Sequence, residues 1–127
     1  MTGEWEGTFS YPGGDNPTPF RARISESSGS FDGETMEPDL YRPLSMISAR
    51  IVGHRDGRTV DFTKSYIDPA HGYENPVVYV GRISGDGEVV TGQWNLLGMT
   101  GAFEMRREAA VATYEEAETV ETVPAST

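Results

Sequence analysis

Apolar and polar residues alternate with a period of two over most of the first 107 positions. Trp5, Gly7, Phe9 and Tyr11 interleave with Glu4, Glu6, Thr8 and Ser10, and Phe20, Ala22 and Ile24 with Arg21, Arg23 and Ser25. Phe31, Gly33 and Thr35 share a side with Glu37; Ile47, Ala49 and Ile51 follow, then Val60, Phe62, Lys64 and Tyr66. The sixth segment has valine on both sides, Val77, Tyr79 and Ile83 against Val78 and Val80. Val90, Gly92, Trp94 and Leu96 oppose Val89, Thr91, Gln93 and Asn95, and Phe103, Met105 and Arg107 close the set. A two-residue period is that of an extended strand with one buried face. The pattern predicts strands over 4–11, 18–26, 30–37, 46–54, 58–67, 76–83, 88–96 and 100–107, and no helix before the tail.

The intervening segments are rich in Gly, Pro, Asn and Asp, with Asp-Gly at 56–57 and 86–87. Asp-Gly between β-rich runs signals a hairpin, because glycine supplies the positive φ of a tight turn. Eight sequential antiparallel strands, each with one apolar face, satisfy their edges most simply by closing into an up-and-down barrel. A two-sheet sandwich is the alternative. Ten of the thirteen aromatic residues lie on the inward stripes. An eight-stranded barrel is just wide enough to be filled by such side chains or to hold one small ligand.

The 127 residues fit a single folded domain. With 10 basic and 20 acidic side chains, the net charge of −10 argues against nucleic acid or an anionic membrane as partner. The acidity is uneven. Residues 108–127 hold Glu108, Glu115, Glu116, Glu118 and Glu121 and no basic residue, so the chain divides into a barrel, 1–107, and an acidic tail, 108–127. The tail reads as mobile and disordered, with a short helix through Val111 and Tyr114 as the alternative. No apolar run approaches the ~20 residues of a membrane span. The opening Met-Thr-Gly-Glu-Trp-Glu lacks the parts of a signal peptide, and cysteine is absent. A cytoplasmic location is expected.

Gly3-Glu4-Trp5 opens the first strand, Arg106 or Arg107 ends the last, and Gly92-Gln93-Trp94 follows the hairpin at Gly85-Asp86-Gly87. In these features the chain resembles the calycin barrels, the group that includes lipocalins, fatty-acid-binding proteins and avidins. The resemblance implies that an arginine packs across Trp5 to close the barrel floor. Parity favours Arg107, and a cation over an indole gives the pairing a physical basis. The polar biotin contacts of avidins have no counterpart here, so biotin binding is not implied.

Lys64 is the most informative candidate, because an ammonium on an apolar stripe must be paired, exposed or deprotonated. Inward Glu37 is its expected partner; a position near the mouth, with the amine reaching water, is the bland alternative. Schiff-base chemistry lacks an adjacent proton relay. Tyr11, Tyr66 and Tyr79 bring phenols to the same side, and Phe62, Trp94 and Met105 complete a wall of the kind that lines ligand sites, although most inward aromatics of small barrels are simply core. His54 and His71 have no partners at ligand spacing, so no metal is expected, nor any cofactor. No Gly-x-Ser-x-Gly is present. Glu4 and Glu6 read as a solvated face, and Arg21, Arg23 and Arg50 as an outer patch balanced by nearby acids.

Three functions follow. The first is binding of a small hydrophobic molecule in the barrel, through Lys64, Tyr66, Glu37, Tyr11, Tyr79, Trp94, Phe62 and Met105, with Trp5 and Arg107 structural. The second is a cofactor-free cyclase or isomerase of polyketide-type metabolism, a role the calycin resemblance implies and one that needs mainly shape and a few donors. The third is a filled-barrel interaction domain, with outward Val52, Val78 and Val80 forming a homodimer face.

Overall fold

The computed structural model describes residues 1–13, 16–39, 42, 44–67 and 75–108. His71 and the expected tail beyond 108 lie outside these residues. Eight strands follow one another: β1 (Gly3–Phe9), β2 (Thr18–Ser27), β3 (Ser30–Pro38), β4 (Met46–Asp56), β5 (Thr59–Tyr66), β6 (Val77–Ile83), β7 (Val89–Leu96) and β8 (Met99–Arg107). Each pairs antiparallel with the next, and β8 returns to β1 through registers such as Trp5 opposite Arg107 and Phe9 opposite Phe103. The sheet is therefore a closed barrel and not a sandwich. No helix among the described residues is long and apolar enough to cross a membrane.

The strand limits match the period-two reading within two residues. The largest differences are in β4, which runs on to Asp56 rather than 54, and in β1, which ends at Phe9 rather than 11. Pro12-Gly13 turns the chain there, Gly13 with φ +107°, and Tyr11 meets the interior from beyond the strand. In β6 the ambiguity resolves with Val77, Tyr79, Gly81 and Ile83 buried and Val78 and Val80 on the outer wall.

The two ends of the barrel differ. At one end the connections are short, 28–29, 57–58 and 84–88; at the other, 10–17, 39–45 and 67–76 are long and only 97–98 is tight. The short-loop end is the floor. Trp5 is fully buried there, donates from Nε1 to the Met1 carbonyl at 2.8 Å, and carries the Arg107 guanidinium 4.5 Å over its ring. Arg107 also donates to the Gly87 carbonyl and to that of Thr2. The expected pairing of Trp5 with Arg107 is thus present.

Large rings fit inside because glycines face them. Gly7 lies opposite both Phe20 and Met105, and a Cβ there would stand 2.6 Å from the Phe20 ring and 2.8 Å from Met105 Cβ. On the outer wall Arg23 pairs with Glu4 at 2.6 Å, Arg106 with Glu104 at 2.8 Å, and Arg21 with Glu108, so two arginines of the expected basic patch are neutralised locally.

One ion pair at the floor has a clear pH consequence. Glu26 accepts from Arg55 at 2.7 Å and from the Met1 ammonium at 2.7 Å. The Arg55 hydrogen bonds, then the terminal ammonium, hold its carboxyl at about 2, below the ordinary 4.5. A depressed carboxylate stabilises the fold fully above pH 4.5, and that stabilisation is lost as pH falls towards 2. Glu26→Gln should therefore lower stability by about 1–2 kcal/mol at pH 7, with the Arg55 side chain 35% exposed to solvent and weakening the pair accordingly. Urea denaturation at pH 7, 4 and 2.5 should show the difference from wild type shrinking towards zero.

Candidate functional site

On β5, Asp61, Thr63 and Ser65 face solvent, which turns Val60, Phe62 and Lys64 into the barrel. On β3, Glu37 follows Thr35 on the inward face one step from the long-loop end. Lys64 is registered with Ile51, and Glu37 with Ile47, so the two charged side chains meet in front of β4. Lys64 Nζ donates to Glu37 Oε1 at 2.8 Å, with the side chains only 4% and 3% exposed. Tyr66 donates its hydroxyl to the other oxygen, Oε2, at 2.9 Å. Glu37 thus has one strong donor on each oxygen.

The ammonium also lies against three rings, with Nζ 4.6 Å from the Phe9 centroid, 5.0 Å from Tyr66 and 5.4 Å from Tyr79. Such contacts strengthen when water is excluded. The alternative of an amine reaching water is corrected: Lys64 is buried, and its charge is met by a carboxylate and π faces. Burial raises the Tyr66 and Tyr79 phenols well above their ordinary range, so both stay protonated at any physiological pH. The fold brings an ammonium, a carboxylate and a phenol together in series, a neighbourhood that the sequence around Lys64 does not show.

The other expected residues fall in two groups. Phe62 stacks on Tyr79 with centroids 4.6 Å apart, and Phe103 meets both rings edge-on. Tyr11 meets Trp94 at 5.4 Å, and Trp94 Nε1 donates to the Ser10 carbonyl at 3.1 Å, which ties the 10–17 connection to the barrel mouth. Tyr79, Tyr11 and Trp94 lie with Lys64 towards the long loops, while Phe62 also meets Phe31 next to the 28–29 turn. Met105 is not with Lys64: it lies one inward step from Arg107, opposite Gly7 and Val90, and packs towards the floor.

Two contributors have no part in the sequence-based site. Phe9 is the ring nearest the ammonium. Thr35 is 3% exposed, and its Oγ1 has no hydrogen-bond partner among the described residues. Both lie on inward stripes, so parity places them inside, while only the register reveals their neighbours. His54 stands 3.8 Å from Asp61 on the exposed outer wall, away from this cluster. An outer groove of about 720 Å³ runs past Glu6, Arg21, Met36 and Arg106, but its Arg21 and Arg106 are already paired with acids.

No protein-family model matches the chain, and no curated protein matches it. Among solved structures it is similar to a fluorescence-activating β-barrel designed de novo, with 14% identity, a TM-score of 0.57, and coverage of 85% of this chain and 94% of the other. It also aligns with a mutant of the fluorescent protein UnaG at 11% identity and a TM-score of 0.48, covering 86% of this chain and 96% of that one. At such identities the likeness concerns shape. The fold is a closed barrel of eight sequential antiparallel strands, the shape it shares with the designed barrel.

Proposed function

We propose that the barrel binds a small, mainly apolar molecule at its long-loop end, against Lys64, Glu37, Tyr66 and the surrounding rings. One observation carries this reading: a buried ion pair, ringed by aromatics, on the inner wall of the barrel. A buried pair rarely stabilises more than well-packed apolar groups of the same volume, so its presence calls for another role. Convergent polar groups on a mostly aromatic wall are the usual composition of a ligand site. The designed barrel of like fold is fluorescence-activating, a property in keeping with a lumen that receives a small molecule.

Native mass spectrometry across hydrophobic metabolites tests the reading. Wild-type protein should retain at least one compound at one-to-one stoichiometry, and a folded Lys64→Met/Glu37→Leu variant should retain it at least tenfold more weakly. Retention of nothing, or equal retention by the variant, would count against it.

A second reading, a cofactor-free cyclase or isomerase, draws on the phenol–carboxylate–ammonium series, which can hold or pass a proton beside a folded substrate. Release of a rearranged product, rather than the intact compound, would favour it. The homodimer reading draws on Val52, Val78 and Val80, which are 57%, 45% and 53% exposed on the outer wall. Light scattering that gives a monomer at high concentration would remove it.

A further inference from the structure

We propose that the molecule held in the lumen is uncharged and carries a carbonyl- or hydroxyl-type group that hydrogen-bonds Thr35 Oγ1; this rests on the lumen-binding reading above. The charge balance inside the barrel excludes an ion. Lys64 and Glu37 cancel each other at 2.8 Å, and Tyr66 takes the remaining carboxylate oxygen. A carboxylate, sulfonate or amine entering this space would be desolvated without a counter-charge, or would have to break a pair already made. An uncharged group meets neither penalty.

Thr35 says where its polar atom goes. A buried hydroxyl normally has a partner, and each exception calls for a reason. Thr35 lies opposite Ala22 on β2 and Ala49 on β4, and both alanines are buried. These three small side chains make a low stretch of inner wall, in contrast to the ring-filled face built by Phe62, Tyr79 and Phe103. A molecule lying along that stretch presents a carbonyl or hydroxyl on its edge to Oγ1, which can donate or accept.

The test uses the full chain and two naphthalene fluorophores, Prodan, an uncharged ketone, and anilinonaphthalene sulfonate, an anion. Signal from the sulfonate is counted only where Prodan displaces it, and a sulfonate that does not displace Prodan counts as the weaker ligand. Prodan should bind at least tenfold more tightly. Thr35→Val, which keeps the shape and removes the hydroxyl, should weaken Prodan about five- to tenfold, leave the sulfonate within twofold, and melt no lower than wild type. Thr35→Ala serves where the valine variant does not fold, and Thr35→Ser should restore Prodan binding. Equal or tighter binding of the sulfonate, or Prodan affinity indifferent to loss of the hydroxyl, overturns this inference and leaves the lumen reading standing. Failure of both probes to bind overturns it, and if mass spectrometry also retains nothing, the lumen reading falls with it.

Discussion

Lys64→Met alone should destabilise the barrel by about 3–5 kcal/mol, because it leaves the Glu37 carboxylate buried with only the Tyr66 hydroxyl to meet it. For a domain near one hundred residues, each kcal/mol moves the melting temperature by roughly 4–8 °C, so a drop of more than about 10 °C is expected. Glu37→Gln should lie at the lower end of the range, since the amide still accepts from Nζ while the ammonium loses its counter-charge. The double variant Lys64→Met/Glu37→Leu should recover most of the loss and finish within about 1 kcal/mol of wild type, or above it. Urea denaturation of the four proteins gives the comparison, and the recovery is the informative part. A pair that only filled space would show additive losses. A Lys64→Met variant within about 1 kcal/mol of wild type would mean that water reaches the pair. The folded double variant also separates stability from ligand retention.

Trp5→Ala should cost about 3–5 kcal/mol, the range for deleting a fully buried large aromatic. The loss has two parts, a cavity at the floor and a guanidinium without its ring. Arg107→Lys isolates the second part. An ammonium keeps the charge but cannot both lie flat on the indole and hold the Gly87 carbonyl through two nitrogens, as Arg107 does at 3.1 and 3.3 Å. A loss of about 1–2 kcal/mol is expected for that exchange. Thermal melts of the two variants check both figures, and a neutral Arg107→Lys would show that the stacked guanidinium does nothing for the closure.

Most of the architecture was readable because each strand buries one face only. Charged or hydroxyl residues such as Asp61, Thr63 and Ser65 mark the outer side of β5, so parity alone put Lys64, Glu37 and the tyrosines inside. The same logic stalled at Val77–Val80, because valine suits the outer face of a strand as well as the inner one. Closure of the sheet, and not composition, decides that Val78 and Val80 face out.

The height of each side chain along the barrel was not readable. Lys64 and Glu37 are 27 positions apart, and their meeting depends on the registers of β3 with β4 and of β4 with β5. One residue of slip would turn either side chain out of the lumen. Met105 shows the converse: parity places it inside, but the pairing with Gly7 sets it at the floor and not beside the amine. The glycine seats under the rings, the Phe9 contact and the solitary Thr35 hydroxyl share this origin. They are properties of neighbours across strands, which a stripe in one strand does not name. The meeting of the Met1 ammonium and Arg55 on Glu26 had no sequence signal at all.

Intermolecular nuclear Overhauser effects from a retained compound to assigned methyl groups test the central claim most directly. Binding in the lumen predicts contacts to the inward methyls of Ala22, Thr35 and Ala49 and to the rings of Phe9 and Tyr79, and none to Val52, Val78 or Val80. Contacts confined to the outer valines, with the inward methyls unmoved, would contradict it.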